Sequence, residues 1–386
     1  MSLIASLDIG SEKMVMAVAE IDEQGDCRLA GVKMIVSQGV KNGIIIDKAR
    51  VKSYIQYLIN ELAKGKRIDT LKIALSGAAL KVKEQKVSVP VQRRTVEKSD
   101  INRAEDACVQ QLNTKDQEVV DLLPLTYAVD RGSYVTDPLG MKGRGLEAWF
   151  RVYIAETSYL EELRKLFSDF GIDNVDFFPE SRAYLEALGD SSQDFALVDM
   201  GAMSTKVVLF GNGMIKKECV LPLGTHTIDT DIMSVEAFKI EDVQKAKKLK
   251  HEQGEAVRSA CKSEKIDLPE VKLRIDRRDL VKVIQCRLEE LMEGVIFQLQ
   301  QWHFNNPEKE ILLTGGTARL KNVDMLLNKL SGHRIGKARV KGVISANDEI
   351  MESPTCLTAL GLLLCEHEET DVEKGRIGGW FSNIFK

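Results

Sequence analysis

Leu3-Ile4-Ala5-Ser6-Leu7-Asp8-Ile9-Gly10-Ser11-Glu12-Lys13-Met14-Val15-Met16-Ala17-Val18 is an apolar run, a turn built on an acid and a glycine, and a second apolar run. The same order returns in Phe195-Ala196-Leu197-Val198-Asp199-Met200-Gly201-Ala202-Met203-Ser204, continued by Lys206-Val207-Val208-Leu209-Phe210. Asp and Gly dominate turns for backbone reasons alone, so either copy by itself says little. Two copies at equivalent places in similar half-units read as an internal duplication. Two such hairpins facing each other across a cleft can aim backbone N–H groups at the phosphates of a nucleotide and set two carboxylates beside its metal ion. A third stretch, Ile311-Leu312-Leu313-Thr314-Gly315-Gly316-Thr317, reads as a buried strand ending in paired glycines, where backbone can approach a flat adenosine closely. Ordinary turn punctuation is the competing reading of all three.

Outward from the first hairpin, residues 2–36 read as a three-strand meander broken at Asp22-Glu23-Gln24-Gly25-Asp26. Asp47 can cap a helix in which Val51, Tyr54, Ile55, Leu58, Ile59 and Leu62 recur at three- and four-residue steps. A strand at 71–75 completes a βββαβ half-unit. From about residue 80 a small α+β insertion follows: a strand at 87–91, a helix at 102–112, strands at 119–129 and 147–154, turns across 130–145, and a helix at 157–170. Residues 195–221 repeat the meander. Residues 241–303 read as charged helix with Leu280, Val283, Ile284, Leu288, Leu291, Met292, Val295 and Leu299 on one face. A strand at 311–313, a helix at 322–330 and a final helix capped by Ser353, with Pro354 in its first turn, complete the second half. The acidic stretch 366–374 has no apolar stripe and predicts a disordered tether.

At 386 residues the chain exceeds what one core usually holds, which predicts two lobes or more. A net charge of −4 gives no general attraction to nucleic acid. Seven cysteines with no CxxC pair, and five histidines with no HExxH, predict a reduced, cytosolic chain without structural zinc. No charged leader and no run near ~18 apolar residues occur, which predicts neither a signal peptide nor a membrane span.

The order of hairpin loop, inserted subdomain, second hairpin loop, helical subdomain and TGG corner resembles the actin/Hsp70/hexokinase superfamily of ATP-binding proteins. The insertion, with Leu123-Pro124-Leu125-Thr126-Tyr127-Ala128-Val129-Asp130 and Pro138-Leu139-Gly140-Met141, is similar to the 1C subdomain of the FtsA family of bacterial division proteins. That resemblance implies an α/β, actin-like ATPase fold. Two lobes, each with a mixed five-stranded sheet and flanking helices, would carry an inserted α+β subdomain of SHS2 type and a helix-rich subdomain 2B. The implied boundaries are 1A at 1–80 and 166–192, 1C at 81–165, 2A at 193–225 and 304–365, and 2B at 226–303. A linker at 366–375 and an amphipathic helix at 376–386 would follow.

The resemblance also implies ATP and Mg2+ as cofactors. Asp8, Gly10, Ser11 and Lys13 match the first phosphate loop, Asp199, Gly201, Ala202 and Ser204 the second, and Gly315, Gly316 and Thr317 the adenosine loop. Asp8 and Asp199 are the implied Mg2+ residues, acting through water. Gln244 and Lys247 fall where relatives lean a Glu and a Lys on the ribose and base, and a neutral Gln still hydrogen-bonds hydroxyls. The run Lys245, Lys247, Lys248, Lys250 reads equally as a solvated face. Glu180 stands where Hsp70-like relatives place a catalytic acid, although a carboxylate favoured by the dipole at a helix start is an equal reading. Ala202 and Met203 replace two glycines of many relatives, and Lys206 replaces an acid near the end of the second motif. Those departures predict ATP hydrolysis that is slow at most.

Ile377, Trp380, Phe381, Ile384 and Phe385 recur at i, i+3, i+4, i+7 and i+8, flanked by Lys374, Arg376 and Lys386. The stripe predicts an amphipathic membrane anchor, and folding back onto the second lobe is the competing reading. FtsA-like proteins imply a chain that forms filaments with ATP and ties the FtsZ ring to the membrane. The implied partners are the FtsZ C-terminal tail, further copies of the chain, cytoplasmic-membrane lipids and other division proteins, with no nucleic acid. The implied place is the cytoplasmic face of the membrane, peripherally, at the division septum. Arg278, Arg287 and Glu290 are candidate tail contacts, since arginine clusters suit carboxylates, and an exposed helix face looks the same. Two rivals share the superfamily. A PilM-like pilus-assembly scaffold lacks the terminal stripe, and a small-molecule kinase needs a catalytic aspartate and sugar-binding residues for which no motif is found.

Overall fold

The computed structural model describes residues 2–112, 115–188, 194–268 and 273–366. Within it the two meanders build two sheets of matching order. In the first, Ser2–Ile9 pairs antiparallel with Lys13–Ile21 and parallel with Thr70–Leu75. Cys27–Val36 extends one side and Val175–Pro179 the other. In the second, Phe195–Met200 pairs antiparallel with Thr205–Gly211 and parallel with Glu310–Thr314, flanked by Met214–Leu221 and Arg334–Lys337. Strand for strand the two orders coincide. The first sheet holds a sixth strand instead of the five expected: Val343–Ile344, from the second half of the chain, closes its edge beside Cys27–Val36.

The first sheet is covered on both faces, and its central hairpin accordingly reads as a near-continuous apolar run, with Ala5, Leu7, Met14, Val15 and Met16 fully buried. Asp47 accepts a hydrogen bond from the Arg50 N–H and starts the helix Lys48–Ala63, whose Val51, Ile55 and Leu58 are buried. The helices Glu180–Leu188 and Leu357–Leu364 also pack here, and they cross at a glycine. A Cβ on Gly361 would lie 2.1 Å from the carbonyl oxygen of Ala183. Backbone cannot yield as a flexible side chain does. Gly361→Ala is therefore expected to destabilise the protein by about 2 kcal/mol, overpacking outweighing the better helix propensity of alanine. Scanning calorimetry checks this, and an unchanged melting temperature would refute the tight crossing.

The last helix does not start as the sequence suggested. Ser353 caps nothing: Leu357–Leu364 begins behind Cys356, which makes no side-chain cap bond, and the Ser353 Oγ pairs with the Thr355 Oγ1 at 3.0 Å. The reason is tertiary, because the Pro354 carbonyl is held by the TGG corner as described below.

The insertion is a three-stranded antiparallel sheet with Gly145–Glu156 between Lys81–Pro90 and Gln117–Val129. Its helix, Lys98–Gln111, begins four residues before the sequence expectation because Glu97 and Asp100 form a reciprocal capping box. In the turn region, the Asp130 carboxylate accepts from the N–H groups of Arg144 and Gly145. The helical subdomain holds His226–Ser234, Val243–Gln253 and Arg277–Gln301, with a small hairpin Lys265–Leu268/Leu273–Asp276. Along Arg277–Gln301 the predicted face is buried, except that Val283 is only partly covered. Among the described residues no helix is long and apolar enough to cross a membrane. The residues predicted to form an anchor, Ile377, Trp380, Phe381, Ile384 and Phe385, lie outside the described residues.

Candidate functional site

The two turns share one backbone hydrogen bond and one steric demand. Gly10 N–H donates to the Lys13 carbonyl at 2.9 Å, and Gly201 N–H to the Ser204 carbonyl at 3.0 Å. A Cβ would come within 2.8 Å of the Lys13 oxygen in one and 2.9 Å of the Ser204 oxygen in the other, so both turns need glycine. The registers Asp8 with Val15 and Asp199 with Lys206 place each aspartate one pair before its turn. Lys13 and Ser204 are thus equivalent, as are Ser11 and Ala202.

The acids of the two loops feel each other's charge. Asp8 is 7% exposed, and burial first of all raises its carboxyl above the ordinary range, with Lys13 opposing and the Asp199 charge reinforcing the shift. The Lys13 Nζ stands 3.8 Å from Asp8, beyond hydrogen-bond reach. The Tyr184 hydroxyl donates to Asp199 Oδ2 at 2.5 Å. Glu180 opens the helix Glu180–Leu188 and joins the group. Enclosure in the cleft raises its carboxyl to about 7, Lys206 opposing, Asp199 and Asp8 reinforcing, and a hydrogen bond with Ser76 opposing. Lys206 Nζ lies 3.6 Å from Glu180 and donates to the Ser181 Oγ at 2.9 Å. Asp8, Asp199 and Glu180 thus act on one another through their charges, with Lys13 and Lys206 as the opposing cations. A carboxyl titrating near neutrality has the property asked of a general base.

The TGG corner is built against the same acids. Gly315 has φ +89°, and a Cβ there would lie 2.3 Å from Asp199 Oδ1 and 2.6 Å from the Met200 carbonyl oxygen. Gly316 differs, since a Cβ on it would meet nothing within 4 Å. The Thr317 hydroxyl donates to the Thr225 Oγ1 at 3.0 Å and so braces the corner from behind. The Pro354 carbonyl accepts from Gly315 N–H at 2.8 Å and from the Thr314 hydroxyl at 2.7 Å. Next to it, the Thr355 carbonyl accepts from Lys13 Nζ at 2.9 Å. Residues 353–355 therefore tie the first loop to the corner.

Other predicted residues serve the loops or stand apart. Ser11 Oγ accepts from the Asn42 N–H at 3.2 Å. The carbonyls of Gly201 and Ala202 accept from the N–H groups of Thr225 and His226, pinning the second loop to the start of His226–Ser234. Ser204 is half-buried at the turn and Gln244 is exposed. Lys247 Nζ is 2.5 Å from Glu12 Oε1. Arg287 donates to Asp231 through Nε at 2.6 Å and Nη2 at 2.9 Å, and to Glu290 through Nη1 at 2.6 Å. Arg278 is exposed, with its Nε on the Cys261 carbonyl at 3.1 Å.

Sequence reasoning passed over Ser76, Tyr184, Glu12, His226 and Asp229, and it counted Lys250 in a solvated run although the structure buries it on Asp229. Tyr184 carried a weak signal, one helical turn beyond Glu180, but nothing local marks the others. Ligand atoms of Glu12, His226 and Asp229 lie within 4.8 Å of one another. Lys247 on Glu12 and Lys250, 2.6 Å from Asp229, already supply positive charge there, so we assign no metal to this cluster.

Residues 77–154 match a family model described as the SHS2 domain inserted in FTSA, and residues 196–361 match one described as cell division protein FtsA. The cell division protein FtsA of Pseudomonas aeruginosa is 26% identical over 379 residues, covering 94% of this chain and 88% of that protein. That of Bacillus subtilis is 24% identical over 388 residues, covering 97% and 86%. Among solved structures, the PilM-PilN type IV pilus biogenesis complex superposes with a TM-score of 0.67 at 18% identity, over 94% of this chain and 97% of that one. MreB5 of Spiroplasma citri bound to AMPPNP gives 0.54 at 12%, over 94% and 95%. The MamK double helical filament gives 0.52 at 10%, over 94% and 98%. At these identities the solved structures show the actin-like fold alone.

Proposed function

The chain belongs to the FtsA family of cell-division proteins, and from that membership we propose that it binds Mg-ATP between its duplicated hairpins, assembles in rows and tethers FtsZ to the cytoplasmic membrane. The observation that carries the nucleotide reading is the pair of equivalent glycine turns, each with its aspartate one pair before it, whose acids Asp8 and Asp199 act on each other and on Glu180 through their charges. The related fold of AMPPNP-bound MreB5 supports it. In this reading the turn amides and Lys13 take the phosphates, and the open side of Gly316 takes the adenosine. Mg2+ held by Asp8 and Asp199 through water screens the phosphate charge. Glu180 is the group to orient a water, but Lys206 draws on its carboxylate and on Ser181, so turnover is slow.

The tether reading rests on the terminal stripe. Five apolar side chains part-buried in an interface give ~5–8 kcal/mol, and ordering about ten residues costs a comparable amount. Three basic groups add ~1 kcal/mol each near anionic lipid. A single anchor is therefore weak, and a row of subunits makes attachment firm through effective concentration. For the FtsZ tail we propose the long helix Arg277–Gln301, with Arg278 the more open contact and Arg287 and Glu290 exchanging their present partners. Electron microscopy on anionic lipid monolayers tests the whole reading. Ordered rows are expected with Mg-ATP and sparse coverage without it; bare lipid in both conditions would refute it.

A further inference from the structure

At the mouth of the cleft an ion pair joins the two lobes. Glu12 lies between Ser11 and Lys13 in the first phosphate loop, and its Oε1 is 2.5 Å from Nζ of Lys247, on the helix Val243–Gln253 of the opposite lobe. His226 Nδ1 stands 3.6 Å from the same oxygen and 3.7 Å from Asp229, which Lys250 holds. The side chains of Glu12 and Lys247 keep 25% and 20% of their exposure. The pair is thus at the rim, whereas Tyr184, bonded to Asp199 at the floor, is fully buried.

A carboxylate is an odd occupant of a loop whose N–H groups attract phosphate, since it repels the ligand its own backbone binds. Lys247 is the converse, a cation suited to a nucleotide but already in contact with an anion. Contact of Lys247 with a nucleotide competes with its contact with Glu12, because the entering negative charge repels the carboxylate that Lys247 holds.

We infer that Glu12 and Lys247 form an inter-lobe latch that a nucleotide must displace, so that Glu12 sets how tightly the cleft holds ATP. The inference rests on the nucleotide reading of the cleft given above. With the cleft empty, Glu12 serves as the anion for Lys247 and holds Val243–Gln253 against the first lobe. An entering triphosphate competes for Lys247 and repels Glu12. The free energy of separating the pair is subtracted from binding, which lowers the apparent affinity. Because the pair is at the rim, added salt weakens it.

Two measurements on the full-length protein test the latch. In calorimetric titration with Mg-ATP at low salt, Glu12→Gln is expected to bind about tenfold more tightly than the wild type, as loss of one charge-assisted contact from the competing state allows. The gap should narrow at high salt. In hydrogen exchange without nucleotide, Glu12→Gln and Lys247→Gln should each speed amide exchange across Val243–Gln253 several-fold. Equal or weaker ATP binding by Glu12→Gln overturns the inference. Tighter binding with unchanged exchange also overturns it, because simple charge repulsion then explains the affinity. If neither protein binds ATP, the nucleotide reading falls, and exchange alone decides whether a latch exists.

Discussion

Gly315→Ala is expected to destabilise the protein by about 3–5 kcal/mol, combining a backbone conformation that only glycine adopts readily with overpacking. The position has φ +89° and ψ 175°, and the missing Cβ would sit against the Asp199 carboxylate and the Met200 carbonyl. Relief would require moving Asp199, so ATP binding should be lost with stability. Gly316→Ala is the control that separates structure from ligand. Its Cβ would enter open space, so the melting temperature should hold. If the open side of Gly316 receives adenosine, ATP affinity should nevertheless fall. Calorimetry of unfolding and of ATP titration reads both variants. A Gly315→Ala protein that melts and binds as the wild type does would discredit the corner, and a Gly316→Ala protein with full affinity would move the adenosine elsewhere.

Trp380→Glu is expected to abolish pelleting with anionic liposomes while leaving ATP binding intact. The change removes the largest apolar group of the stripe, ~2–3 kcal/mol of burial, and sets a carboxylate against anionic lipid at ~1 kcal/mol more. Against a single anchor that is weak to begin with, such a loss amounts to about two to three powers of ten in affinity. In a row of subunits the deficit recurs at every anchor, so polymerisation does not rescue it. Co-sedimentation with and without Mg-ATP is the measurement. Undiminished pelleting of the variant would remove the segment from the membrane account.

How much could be read along the chain depended on how local each determinant was. The turns at Gly10 and Gly201 were legible because the atoms that demand glycine, the carbonyls of Lys13 and Ser204, are three residues away. The helix Lys48–Ala63 was legible because its cap bond to Arg50 and its buried face both fall within four-residue steps. The strand Val343–Ile344 was not, since two residues carry no period and the edge it pairs with is in the other half of the chain. Ser353 failed as a cap although the local signal was present, because its Oγ pairs with the Thr355 hydroxyl in a segment that the Pro354 carbonyl ties to Gly315.

The sequence by itself therefore determined the two glycine turns, the duplication they mark and the terminal stripe, which show in residue spacing along single spans, whereas the steric demand for glycine at position 315 comes from Asp199 and Met200 on another strand. Only the tertiary structure decided which charges meet. Glu180 comes within 3.6 Å of Lys206 and feels the charges of Asp199 and Asp8, and Glu12 comes within 2.5 Å of Lys247, because the strands that carry the loops and the helices beside them bring distant segments together. Coulomb energy depends on distance through space and on local dielectric, neither of which is written in residue order.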